Sequence, residues 1–284
     1  MKKSIYILLI LTIISPIFAN GQNETNIKSE KPTIAVSIVP QAAFVKKIAK
    51  DKVNIITLIP QGSSPENYEP KPKQRMEFEK ADIYFSIGVQ SEEFSILPMV
   101  GKNTKVVDLS KMIESSYPSL YIGGSRDPHI WLSPKRVILM IDIIEKELSL
   151  IDKNNTSFYK ENAQSYKKEI LTAIQKIEKS LSSLENRTFL VFHPAFNYFA
   201  QDFDLQMLSI EEEGKEVTLK SLIEKIDKAK SFGIKNIYYQ AEISAEQSIA
   251  FSKELGGKAI LLDPLSSNYV ENLEIMAETL KENL

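Results

Sequence analysis

Only two histidines occur in this chain of 284 residues. His129 stands in "RDPHIWLSP" (126–134), beside Asp127, Pro128 and the single tryptophan, Trp131. His193 stands in "FHPAF", directly before a proline. Two carboxylate-bearing segments look similar in design. "PQGSSPENYEP" carries Glu66 and Glu69 among prolines, and "LLDPL" places Asp263 before Pro264. Imidazole and carboxylate are the ligand types that borderline divalent metals accept. Two carboxylates neutralise a doubly charged ion, and without it they repel each other. A proline next to a ligand restricts the backbone and helps hold its geometry. Each residue also has a structural reading. A histidine at a strand end can be a hydrogen-bonded core residue, Asp-Pro is common turn chemistry, and Glu66 in a Gly/Ser/Pro loop can be solvated. Trp131 and Tyr68 read as packing, and the runs "EEEGKE" and "KIEKS" read as exposed faces.

The elements around these residues decide whether they can meet. From residue 33 the chain alternates between two textures. "TIAVSIV" (33–39), "VNIITLI" (53–59), "DIYFSIG" (82–88) and "KVVDL" (105–109) are strand-like. Helical stretches lie between and after them. "SPKRVILMIDIIEKELSLI" is a helix with Ser133 as N-cap and Pro134 at its first position. Over 155–185, residues Ala163, Tyr166, Ile170, Ile174, Ile177, Leu181 and Leu184 form one apolar stripe. That predicts a helix of about 45 Å. The alternation resumes with strands in "TFLVF", "LQMLSI", "NIYYQ" and "KAILLD", and with a helix closed by Gly233.

This pattern predicts an α/β fold of two lobes, each a mostly parallel sheet flanked by helices, joined by one long backbone helix. The lobes are expected at 33–152 and 187–284, with the linker helix at 153–186. Ligands of such sheets bind beyond the carboxyl ends of the strands. His193 and Asp263 fall at such ends in the second block, the Glu66 loop leaves the first block at a similar edge, and "DPHIWL" leads into a helix. The ligand types therefore gather in the cleft between lobes.

Composition narrows the class. The chain has 35 Lys+Arg against 37 Asp+Glu, which gives no electrostatic footprint for nucleic acid. There is no cysteine, so disulfides, Cys-based zinc sites, thiol nucleophiles and lipidated cysteine are excluded for these residues. Lys2 and Lys3 precede the apolar "IYILLILTIISPIF" and then "ANGQNE". That reads as a signal peptide over 1–21, with Ala19 or Gly21 before the cleavage point. Its apolar run is short for a membrane span, which takes about 20 residues. A disordered leader is expected over 22–32, and a periplasmic, monomeric mature protein.

The chain resembles the metal-binding receptor proteins of bacterial zinc and manganese ABC importers. "VSIVPQAAFVKKIAKDKVNIITLIPQGSSPENYEPKPKQ" looks like the family's opening, "DPHIWLSP" and "FHPAFNYFAQDFDL" like its second and third ligand motifs, and "LLDPL" like its fourth. The start of the long helix, "YKENAQSY", is also similar. The resemblance implies His129, His193 and Asp263 as metal ligands, with Glu66 where the family motif has histidine. Glu69 is expected to orient the loop or a ligand. Gln240 in "NIYYQAEIS" stands where the family often has an acidic residue. "SKMIESSYPSLYIGGSR" lacks the His- and acid-rich insertion of many zinc receptors.

The resemblance implies a solute-binding protein that captures Zn²⁺, or alternatively Mn²⁺, and delivers it to a membrane permease. Glu66 hardens the site toward manganese, while the Irving–Williams order favours zinc. Affinity is expected to fall below about pH 6, because free imidazole titrates near 6.5. Two other readings remain. A receptor for an organic solute or metal chelate would use Tyr238, Tyr239 and Tyr269. A metal-dependent hydrolase would need an open site and a general base, and no H-E-x-x-H occurs.

Overall fold

The computed structural model describes residues 31–211, 219–242 and 245–284. The expected signal peptide, and the expected leader up to residue 30, lie outside the described residues. In chain order the first half runs β1 (Thr33–Val36), α1 (Val39–Ala49), β2 (Asn54–Thr57), α2 (Pro72–Phe78), β3 (Ile83–Ser86), β4 (Lys105–Asp108) and α3 (Leu109–Glu114). A small antiparallel hairpin, β5 (Tyr121–Ile122) and β6 (Ser125–Arg126), precedes α4 (Pro134–Ile151) and α5 (Thr156–Leu181). The second half runs β7 (Thr188–Val191), α6 (Asn197–Asp202), β8 (Gln206–Ser209), α7 (Leu219–Ser231), β9 (Ile237–Tyr239), α8 (Ala245–Leu255), β10 (Ala259–Leu261) and α9 (Tyr269–Asn283).

The strands form two four-stranded sheets, ordered β2-β1-β3-β4 and β10-β9-β7-β8, with every neighbouring pair parallel. Parallel neighbours need crossovers, and the intervening helices supply them. In each sheet the order reverses beside its first strand, between β1 and β3 and between β7 and β9. Crevices for ligands open at such reversals. His193 follows β7 and Gln240 follows β9, so the second crevice is lined from both sides.

Local chemistry explains where elements stop. The expected first strand ends early, at Val36. Gln41 Oε1 accepts from the backbone N–H of Ser37 and of Ile38, at 3.0 and 3.2 Å, which starts α1 at Val39. Ser133 caps α4 as expected, its hydroxyl accepting from Arg136 N at 3.1 Å. Gly233 follows α7 with φ +71°, as a helix-closing glycine should. The hairpin was not evident in sequence. It turns through Gly123 and Gly124, both at positive φ.

The long helix α5 has 26 residues, which is about 39 Å of rise. It stops at Leu181, short of the expected end, where Arg187 Nη1 donates to the Leu181 carbonyl at 2.9 Å. The predicted stripe is buried from Ala163 to Leu181, and Leu184 is half-buried. This stripe packs on α1, α4 and α9. Residues 31–284 are one compact unit. One core cluster takes in Val36 and Phe85 of the first sheet, Ile170 of α5, and Phe189 and Tyr238 of the second sheet. The two lobes therefore share this core, while a smaller cluster that includes Leu190, Ile237 and Leu255 belongs to the second lobe alone.

That shared core gives a test. Ile170 is fully buried and its neighbour Leu171 is half exposed. Ile170→Ala is expected to lower unfolding free energy by about 2–5 kcal/mol, and Leu171→Ala by less than about 0.5 kcal/mol. Urea unfolding measures both.

Candidate metal centre

Three ligand-bearing side chains converge from three separate segments. One ligand atom from each of Glu66, His129 and His193 lies within 4.8 Å of the others. The two imidazole rings are 5.3 Å apart, nearly perpendicular. Both histidines are buried, and Glu66 is half-buried.

Glu66 sits on the loop between β2 and α2. The β3-side segment pins that loop, since Ser91 Oγ donates to the Pro65 carbonyl at 2.7 Å and Ser95 Oγ to the Tyr68 carbonyl at 2.8 Å. Tyr68 also donates its hydroxyl to Gln74 Oε1 at 2.8 Å, so it does more than pack. His129 follows the hairpin. Asp127, fully buried, accepts at Oδ1 from the His129 backbone N–H at 3.0 Å and pairs with its Nδ1 at 2.8 Å. Asp127 is itself held by Asn197 Nδ2 at 3.2 Å and by the Tyr198 hydroxyl, which donates to its carbonyl at 3.0 Å. A carboxylate on Nδ1 fixes the ring tautomer and leaves Nε2 for an ion. Trp131 stands 5.2 Å from His129, centroid to centroid, and donates Nε1–H to the Pro264 carbonyl at 2.8 Å.

His193 lies between two carboxylates. Its Nε2 is 2.8 Å from Glu66 Oε1 and its Nδ1 is 3.1 Å from Glu211 Oε2. Burial alone would lower its pKa, but the hydrogen bonds to Glu211 and then Glu66 outweigh it and hold the ring at about 9. The same bond from His193 lowers the Glu66 carboxyl against the opposing effect of burial. A proton thus occupies the nitrogen that a cation needs. Metal affinity should climb with pH up to about 9, so the pH 6 expectation from free imidazole is corrected upward.

The sequence-predicted residues fare differently. Glu66, His129 and His193 come together. Asp263 follows β10 and is outside that 4.8 Å group; its Oδ1 accepts from Leu265 N at 2.8 Å. Glu69 is exposed on the Glu66 loop. The supporting carboxylates are Asp127 and Glu211. Glu211 opens the run read as a solvated face, and its position two residues beyond β8 was the available signal. Sequence reasoning also passed over Glu242, which follows β9. The Glu242 carboxyl is raised by burial and, further, by the charge of Asp263. Together with Gln240, Glu242 lines a cavity of about 20 Å³ shared with Glu66, His129 and His193.

The donor set fits a divalent cation: two imidazoles with fixed partners, carboxylates nearby, and room for one water-sized body. The proton on His193 also predicts a stability profile for the metal-free protein. A folded-state pKa raised from 6.5 to about 9 adds stability that is complete below pH 6.5 and fades as pH rises through 9. Chelator-treated protein is expected to melt at a lower temperature at pH 9.5 than at pH 7, with a loss on the order of 3 kcal/mol. The Glu66–His193 pair is one interaction and is counted once. Thermal melts across that range check it.

Comparison with known proteins identifies the family. The chain is 26% identical to the zinc-binding lipoprotein AdcA of Streptococcus pneumoniae over 99% of its length, and spans 61% of that relative. It is 28% identical to the manganese ABC transporter substrate-binding lipoprotein PsaA of the same species, covering 81% of this chain and 80% of PsaA. A solved ZnuA deletion mutant with zinc bound superposes with a TM-score of 0.84 at 33% identity, over 89% of this chain and 98% of that one. The family model described as ZnuA, "Zinc-uptake complex component A periplasmic", matches residues 34–283, and the chain belongs to that family of metal-binding receptors.

Proposed function

We propose that the protein captures a divalent transition-metal ion in the crevice between its sheets and delivers it to the membrane permease of an ABC importer. It acts as a monomer outside the inner membrane, in the periplasm. Glu66, His129 and His193 hold the ion, and Asp263, in the motif at the end of β10, supplies an oxygen as the fourth ligand. Zinc is the first expectation and manganese the second, since zinc binds mixed nitrogen and oxygen sites more tightly. The observation that carries this reading is the meeting of three ligand atoms within 4.8 Å, with Asp127 behind His129 and Glu211 behind His193. Members of the family are substrate-binding proteins of metal transport, not enzymes.

The dimensions of the crevice bear on the organic-solute reading. Pockets for small organic ligands are usually about 300–1,000 Å³, whereas this cavity is about 20 Å³. The tyrosines that could have lined a solute cleft are otherwise engaged. Tyr238 is in the core, and Tyr269 donates its hydroxyl to the Trp131 carbonyl at 2.8 Å.

Calorimetric titration of chelator-stripped protein tests the assignment. One equivalent of Zn²⁺ or Mn²⁺ is expected to bind, and the combined His129→Ala and His193→Ala variant is expected to bind neither. A stripped protein that takes up no metal, or a double variant that binds like the parent, overturns the reading. Asp127→Asn leaves both imidazoles in place but weakens the support of His129, and affinity should fall about 10–100-fold.

A further inference from the structure

The ligand set proposed above leaves one wall of the cavity without a role. Glu242 and Gln240, just beyond β9, line the same cavity as the histidines. Glu242 Oε2 is buried and has no hydrogen-bond partner among the described residues. Gln240 is 6% exposed, and its Nε2 likewise has none. A buried polar group left without a partner is costly, and a charged one more so, so natural folds keep such groups for a reason. The two orphans are of opposite kinds. One is an acceptor that a cation can take. The other is a donor suited to a carboxylate oxygen or a metal-bound water.

We infer that Glu242 is a further ligand of the captured ion, one that sets selectivity by favouring manganese relative to zinc. The inference rests on the metal-capture reading of the same crevice. With Glu66 and Asp263 it brings the carboxylates around the ion to three. Carboxylate oxygen suits the hard Mn²⁺ ion, while Zn²⁺ is content with four ligands rich in nitrogen. Zinc still binds more tightly in absolute terms. Glu242 narrows the gap. Gln240 holds the set by donating its free N–H to a carboxylate oxygen that is not on the metal.

The test is Glu242→Gln, which keeps size and removes charge. Stripped parent and variant are titrated separately with Zn²⁺ and Mn²⁺, and melts of the metal-free proteins confirm that both fold. Mn²⁺ affinity is expected to drop about tenfold or more, with Zn²⁺ affinity changed by no more than about threefold. Co²⁺ gives a second readout. Its visible bands should grow more intense in the variant as the site loses an oxygen and approaches four-coordination. Equal weakening of both ions, or no change in Mn²⁺ affinity, overturns the role of Glu242 and leaves metal capture standing. A parent protein that binds neither ion overturns both.

Discussion

The contact between Glu66 and His193 governs this molecule. One partner follows the first sheet and the other the second, and they pair across 2.8 Å, with the His193 pKa raised to about 9. The crevice is therefore not an empty gap with charges facing each other. It is a close contact between an imidazole and a carboxylate. On the proposed reading, an entering metal ion would displace the proton on His193, and capture would be an exchange of one positive species for another. The carboxylates on either side of His193 favour its protonated form, and on the proposed reading they would also help neutralise a doubly charged ion.

This exchange requires that the partners stay put. The two sheets are not independent bodies. One core cluster runs from Val36 through Ile170 to Tyr238, and α5 packs along α1, α4 and α9. Packed interiors resist small distortions, so the sheets cannot part widely without disrupting buried apolar contacts. Freedom lies in the segments that carry ligands. Even there, hydrogen bonds from Ser91, Ser95, Asn197 and Tyr198 restrain the loops. These side chains are held in place by the fold itself, which would limit the ordering that binding must impose.

Much of this was legible in sequence, for identifiable reasons. Strand and helix alternate with clear periodicity, and the α5 stripe has no glycine or proline to break it, so the architecture followed. Scarcity marked His129 and His193, and strand-end position marked His193. What escaped depended on pairing across the chain. Glu211 belongs to a charged run that looks solvated, and only the fold brings it to His193. Asp127 looked like a turn residue and proved to be the support of His129. Glu242 has no local signature, because its meaning comes from a reversal in strand order that sequence does not display. The early end of β1 turned on one side chain, Gln41, whose amide oxygen took two backbone donors from the strand.

Trp131 has a consequence of a practical kind. It is the only indole in the chain, it is buried, and it touches His129 on one side while its N–H reaches the Pro264 carbonyl on the other. Any change at that imidazole, or any shift between the segments it ties, alters the surroundings of a single fluorophore. The protein thus carries its own optical gauge: ultraviolet emission from one ring, with no competing tryptophan signal and no attached dye, can follow cargo arriving and leaving in real time.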